Sequence, residues 1–445
     1  MQWLQGYKYN IIALKIFSLE EELMMNKQSV KETAKKLLLL IINFFILIIS
    51  FLIPKTDKIV LVGGWYGKRF ADNSKHFFLY AHENKEELGL EKVVWVTRSD
   101  EIKNELSSQG FNVYKSWSIP SVWYHFRAGI HLVDQAFSDI NPWFSIRSKK
   151  INLWHGFPLK KIGAYADGSY KTNIQKPETV WDKLDSILTR GNWGKHYVLA
   201  TSDFSAKILA EAFNRPVESM IVSGYPRNYE PLIENPVKYI PNHEKDYLNK
   251  VVEAKKQGDK IIGYFPTFRD KRETLIFGTS DSSEIQEIMD YFNESNIKVI
   301  GKFHFAGKDD KFSDLHNHEA FINLPSDADV YTFLSEIDVL MTDYSSIYFD
   351  YLLWDRPIIF FPYDLAYYRD EDRGLIFDYD EFTPGPKAFN IEQLKQLLSN
   401  GVDELNKSYQ RDYGESSDEL KRKIFGDHPG KTDIRHLIEQ IKNLA

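Results

Sequence analysis

"SEIDVLMTDYSSIYFDYLLWDRPIIFF", residues 335–361, is the stretch that sets the fold class. Val339 to Met341 is an apolar run of strand character and Thr342 to Ser346 is polar turn sequence. Ile347, Tyr351 and Trp354 then recur at helical spacing on one face. "RPIIFFPYD" (356–364) reads as the next strand, so strand, turn, helix and strand follow one another as in a parallel sheet. Ser345 and Ser346 fall at the start of the helix, where free backbone N–H groups favour an anion and hydroxyls add donors. Plain N-capping by a serine or an aspartate is the competing reading of the same turn.

The pattern extends in both directions. "DKIIGYFPTFRD" (259–270), "NIKVIGKFHF" (296–305) and "AFINLP" (320–325) are the other strands of the second half, separated by helices such as "SSEIQEIMDYFNES". "DKIVLVGG" (57–64), "KVVWVTR" (92–98), "FNVYK" (111–115), "GIHLVD" (129–134) and "KINLWHG" (150–156) form an earlier series of the same kind. Between the two lies "IENPVKYIPNHEKDYLNK" (233–250), whose two prolines and mixed charge mark a boundary. A chain of 445 residues is too long for one hydrophobic core. The expected fold is α/β, two Rossmann-like domains facing across a cleft, spanning 54–240 and 241–445 after an extension of residues 1–53.

That extension holds "LLLLIINFFILIISFLI" from Leu37 to Ile53, broken only by Asn43 and Ser50. Seventeen residues is the lower limit for spanning a bilayer. Lys31, Lys35 and Lys36 precede the run and Lys55 and Lys58 follow it, so charge bias gives no orientation. A spanning or re-entrant anchor, a helix lying in the membrane interface, and a buried helix or cleaved signal compete. Membrane attachment is the expectation. Met24 or Met25 could also be the true start.

Composition excludes several classes. A formal net charge of −7 gives no support to nucleic-acid binding. The chain has no cysteine, hence no disulfide framework, thiolate metal site or cysteine nucleophile. There is no Walker-A pattern, Gly-x-Gly-x-x-Gly fingerprint, His-Glu-x-x-His or clear Asp-x-Asp pair, so the expected chemistry is a transfer that uses no metal and no cofactor.

Polar groups gather instead at strand ends. "INLWHGFPLKKIG" (151–163) places His155 where a strand stops at Gly156 and Pro158. Pro266 and Thr267, with Arg269, end one strand of the second half; Lys302, Phe303 and His304 end another. The carboxyl ends of parallel strands share one edge, so these groups and Ser345–Ser346 can converge on one cleft. Arg227 in "SGYPRNY" closes the first half in the same way, and "YDLAYYRDEDRGLIFDYDEFTPGP" (363–386) reads as a loop over the cleft. A satisfied loop histidine, a solvated arginine and a merely solvated loop are the bland alternatives.

Taken in order, "WHGFPLKKIG", "GYPRN", "PTFRD", "TDYSSIYFDY", "RPIIFF" and "YRDEDRG…FDY…PGP" resemble the CDP-glycerol glycerophosphotransferase family, which builds teichoic acids and related polyol-phosphate polymers. The resemblance implies a GT-B-like fold, membrane association and no metal requirement. It implies catalytic roles for His155, as general base, and for His304. Trp154, Gly156, Phe157, Pro158, Arg227, Pro266, Thr267, Lys302, Phe303, Ser345, Ser346 and Asp370 would hold CDP-glycerol or CDP-ribitol, chiefly through the second domain. The acceptor would be a lipid-linked saccharide or growing polymer at the cytoplasmic face of the cell membrane. Two departures stand out: Phe305 follows His304 where members often have proline, and "GDHPGKTDIRHL" only loosely matches the usual C-terminal pattern. A GT-B sugar-nucleotide glycosyltransferase and a non-catalytic membrane scaffold are the rival readings.

Overall fold

The computed structural model describes residues 34, 37–166, 196–228, 240–269, 271–302, 315, 318–427 and 434–444. Two parallel sheets organise them. The first contains β1 (Thr56–Val62), β2 (Lys92–Thr97), β3 (Val113–Lys115), β4 (Ala128–Val133), β5 (Lys149–Asn152), β6 (His196–Ala200) and β7 (Met220–Val222), in the order β3-β2-β1-β4-β5-β6-β7. The second contains β8 (Lys260–Tyr264), β9 (Ile297–Gly301), β10 (Phe321–Asn323), β11 (Val339–Thr342) and β12 (Ile358–Phe360), in the order β10-β9-β8-β11-β12. Every pairing in both sheets is parallel.

Helices cover both faces of such a sheet, so its central strands must be apolar on both sides. That is why β4 and β11 are buried at every residue. The α/β architecture with parallel sheets is as expected from the alternating runs. β6 and β7, which lie in segments left without assigned strands, complete the first sheet.

Two elements depart from a simple division into halves. The Val402–Phe425 helix crosses between them, and the Ile434–Lys442 helix packs Ile434, Leu437, Ile438 and Ile441 into the core of the first sheet, not the second. In the other direction Phe157 and Leu159 of the first half join the second half's core.

The apolar run forms a helix over 37–52. Among the described residues no helix is long and apolar enough to cross a membrane.

Candidate active site

β5 ends at Asn152, whose side-chain oxygen accepts the Trp154 N–H at 2.8 Å and starts a tight turn. Trp154 is held at φ 56° and Gly156 at φ 140°, backbone regions that disfavour side chains and cost about 1–3 kcal/mol where a side chain is present. The turn sets the His155 imidazole beside the Trp154 ring, centroids 3.9 Å apart, with the Trp65 indole 6.4 Å away. Burial, with the charges of Arg227 and Lys160, pushes the imidazole down to about 3 against a hydrogen bond to the Asp134 backbone. Its Nδ1 is buried with no hydrogen-bond partner. His155 is therefore neutral at working pH, the form a proton acceptor needs.

The opposite wall comes from the second sheet. Thr342 at the end of β11 donates from Oγ1 to the Phe265 carbonyl at 2.7 Å. Asp343 Oδ1 accepts the N–H groups of Thr267 at 2.8 Å and Tyr344 at 2.5 Å, while Oδ2 faces Arg269 at 2.8 Å. These bonds lock the Pro-Thr-Phe-Arg loop after β8 to the Asp-Tyr-Ser-Ser loop after β11. Thr267 Oγ1 is buried without a hydrogen-bond partner. Ser346 precedes the Ile347–Tyr351 helix and its side chain makes no capping hydrogen bond, so the capping alternative does not hold for it. That helix has five residues and continues as one 3₁₀ turn, Leu352–Trp354. So short an element adds little macrodipole, which leaves hydroxyls and loop N–H groups as the donors it can offer.

The two walls meet. A Cβ placed on Gly156 would lie 3.3 Å from Ser346 Oγ and 3.4 Å from Arg227 Nη2. The Trp-His-Gly turn, Ser346 and Arg227 thus lie together where the two halves meet.

Three expected ligand-binding residues have different work. Arg227 is fully buried and held by four hydrogen bonds: Nη1 to Asp72 and to the His155 carbonyl, Nε and Nη2 to Asp350 at 3.3 and 2.6 Å. Burial opposes the guanidinium charge, but Asp350 and Asp72 outweigh it and hold the group well above its ordinary value. Two carboxylates flank it, and it ties the His155 turn to both halves. Phe157 is buried among Phe204, Phe349 and Phe377, stacking on the last at 5.6 Å, and works as a plug between halves. Asp370 is exposed at the end of the Leu365–Asp370 helix and paired with Arg369.

The remaining expected positions divide. Pro266 and Pro158 lie in the two facing loops. Lys302 donates to the Ala328 carbonyl at 2.7 Å; burial and Arg69 lower it to about 8. Phe303 and His304 lie outside the described residues. The loop at 363–386 does meet the histidine segment: Lys160 pairs with Leu375 in an antiparallel bridge, and the Lys161 N–H donates to the Gly374 carbonyl at 3.1 Å.

Residues 45–422 match the family model of CDP-Glycerol:Poly(glycerophosphate) glycerophosphotransferase. The chain belongs to this family. Over 383 residues it is 24% identical to the teichoic acid poly(glycerol phosphate) polymerase of Bacillus spizizenii, covering 81% of this chain and 86% of that one. Over 390 residues it is 27% identical to the teichoic acid glycerol-phosphate transferase of Staphylococcus aureus, covering 83% and 90%. The solved structure of the wall teichoic acid polymerase TagF aligns with TM-score 0.63 at 20% identity over 87% of this chain and 89% of that one, a likeness of fold.

In this glycerophosphotransferase the sequence reading missed a second set of site residues. Asp72, Asn73 and Lys75, just after the "GGWYGKRF" turn, are buried. Asn73 Nδ2 donates to the Trp154 carbonyl at 2.7 Å and its Oδ1 accepts from the Arg227 N–H at 3.2 Å. Lys75 Nζ reaches Asp329 at 3.0 Å and Glu244 at 3.7 Å in the second half. The available signal was four successive polar residues, Asp72 to Lys75, at a strand-to-helix junction. In the Tyr-Arg-Asp loop, Asp372 keeps both carboxylate oxygens buried without hydrogen-bond partners, which makes it, not Asp370, the inward-facing acid.

Proposed function

We propose that this chain transfers glycerol phosphate or ribitol phosphate from the CDP-polyol to a hydroxyl of a lipid-linked saccharide or growing polymer, releasing CMP, in teichoic acid synthesis at the cytoplasmic face of the membrane. Family membership supports the reaction class. The observation that supports this reading is the approach of the Gly156 turn, next to the neutral His155, to Ser346.

In this mechanism His155 takes the proton of the acceptor hydroxyl. The oxygen attacks the phosphorus that bears the polyol, a new P–O bond forms, and the bond to the CMP oxygen breaks with its electron pair leaving on CMP. General-base help of this kind contributes about 10²–10⁴-fold. Ser345, Ser346 and Thr267 donate to the phosphate oxygens, and fixed donors act more strongly here than in water because they need no reorganisation. Arg227 and Asn73 hold the His155 turn in place.

The test is incubation of the purified chain with CDP-glycerol or CDP-ribitol and lipid-linked acceptors, following CMP and product length. Acceptor-dependent CMP release is expected. Turnover of a UDP-sugar or CMP-sugar instead would replace the reading with a glycosyltransferase.

A further inference from the structure

β1 runs into "GGWYGKRF" (63–70), a turn without a role in the transfer described above. Trp65, Tyr66 and Gly67 follow one another at φ 47°, 56° and 72°. Two of the three carry side chains in a backbone region that side chains avoid, and the surrounding fold holds them there. Asp139 Oδ1 accepts the Tyr66 N–H at 2.7 Å. The Gly67 carbonyl accepts from Thr97 Oγ1 at 2.9 Å and from the Arg98 N–H at 2.6 Å. Strain maintained by its surroundings marks a segment whose placement has a use.

The turn presents a ring and a cation. The Trp65 ring stands 6.4 Å from the His155 ring, and the Arg69 guanidinium lies 5.0 Å from the Trp65 ring centroid. Arg69 is half-buried, and among the described residues it makes no hydrogen bond and no ion pair. A guanidinium inside a fold normally spends its N–H groups on acceptors. Here an indole holds the cation while those donors stay open, and their fork matches the oxygens of a phosphate.

The charges around Arg69 are consistent with that use. Asp327 and Asp329 are the carboxylates near it. Asp329 binds Lys75 Nζ at 3.0 Å and accepts the Asp72 N–H at 3.2 Å, so its charge is shared with other groups. Lys302 approaches from the second half: burial lowers its basicity first, and the charge of Arg69 lowers it further. Two cations from opposite halves repel each other, and an anion bound between them offsets that repulsion.

We propose that Arg69 binds the phosphodiester next to the acceptor's attacking hydroxyl, so that an acceptor already ending in polyol phosphate is preferred over a neutral saccharide. This role rests on the polyol-phosphate transfer proposed above and belongs to the acceptor end of the same site. Arg69 comes from the first half and neighbours His155 through Trp65. Ser345, Ser346 and Thr267, the partners of the donor phosphates in that transfer, come from the second half. The spacing agrees: a single ring separates guanidinium from imidazole, and a single polyol separates a terminal hydroxyl from its phosphorus. A bare saccharide offers Arg69 no anion, so only the phosphate-bearing acceptor gains the charge-assisted hydrogen bonds.

The full chain is assayed for CMP release from CDP-glycerol or CDP-ribitol with two acceptors built on one lipid-linked saccharide, either bare or ending in a single glycerol phosphate. Wild type should prefer the phosphate-bearing acceptor in kcat/KM, and Arg69→Gln should shrink that preference about ten- to hundredfold, through KM more than kcat. Arg69→Lys, which keeps the charge but not the fork, should retain part of it. Donor affinity measured by calorimetry should be unaltered in both variants. A wild type without preference, or an unchanged preference in Arg69→Gln, overturns the proposal. So does a comparable loss of donor affinity, which would place Arg69 on the donor phosphates. A second readout needs no turnover: a short glycerol-phosphate oligomer, titrated by tryptophan fluorescence, should bind wild type about tenfold more tightly than Arg69→Gln. Equal binding overturns the phosphate site. A chain that shows the binding difference but releases no CMP refutes the transfer reading and leaves the phosphate site standing.

Discussion

Replacing Arg227 by methionine should destabilise the closed arrangement of the two halves more than any other single polar change at the site. The guanidinium bonds Asp72 from the first half and Asp350 from the second, and the side chains of all three residues are 5% exposed or less. Methionine keeps most of the volume but leaves two carboxylates buried and facing each other. Removing one member of a buried ion pair costs about 3–5 kcal/mol, because the partner's charge is left uncompensated. Asp350→Asn keeps the Arg227–Asp72 pair and should cost less, about 1.5–3 kcal/mol for hydrogen bonds to a charged group. In the Arg227→Met background the same Asp350→Asn change relieves repulsion, so it should be neutral or stabilising. The resulting coupling should be about 2 kcal/mol or more. Equilibrium urea unfolding followed by tryptophan fluorescence measures all four proteins. A loss below about 1 kcal/mol for Arg227→Met, the range of solvent-exposed pairs, would mean that the halves stand apart in solution and the buried ties do not form.

Three further outcomes test the site. His155→Gln should lower kcat about 10²–10⁴-fold while leaving CDP-glycerol affinity within a few-fold, checked by CMP release and calorimetry; an equal loss in affinity would make His155 a binding residue. Gly156→Ala forces a Cβ into a backbone at φ 140° and to 3.3 Å from Ser346 Oγ, so kcat/KM should fall at least tenfold, and wild-type kinetics would separate the two walls. The folded His155 imidazole is lowered to about 3, so it stays neutral down to that pH and kcat/KM should not fall with its titration. An ordinary histidine at 6.5 would lose about tenfold of its neutral form between pH 7.5 and 5.5. Burial raises Asp72 to about 6, so a limb that vanishes in Asp72→Asn belongs to that carboxylate. One near 6.5 that survives the substitution refutes the buried imidazole.

Strands were readable because central parallel strands must be apolar on both faces, and runs such as "DVLM" and "KIVLV" have no other economical use. The approach of the Trp-His-Gly turn to Ser346 was readable for a topological reason, since parallel strand ends share an edge. The fate of Arg227 was not. Its partners Asp72 and Asp350 lie 155 and 123 residues away in sequence, and a guanidinium after a turn looks the same whether it awaits phosphate or is already neutralised. Asp370 is exposed at the end of its own helix while the Asp372 carboxylate is buried, a difference that neighbouring acids in one polar loop do not reveal in sequence. The 37–52 run concealed its orientation because nearly every position is apolar, but Asn43 and Ser50, two turns apart, marked the inner face.

In the proposed mechanism, the depressed basicity of His155 would keep the base from acting on water before the donor arrives. Burial is the largest cause, and the nearby positive charges of Arg227 and Lys160 add to it. A donor diphosphate brings about two negative charges to the same cleft. At an effective dielectric of about 20, one unit charge some 6 Å away is worth about 3 kcal/mol, or about two pH units. One such charge would raise the imidazole from about 3 to roughly 5, and two would bring it near neutrality. In the proposed mechanism, proton abstraction would then become favourable once the donor is seated. Arg227 has a specific part in this. Its bonds to Asp72, Asp350 and the His155 carbonyl tie the Trp-His-Gly turn to both halves, the placement that the proposed mechanism requires.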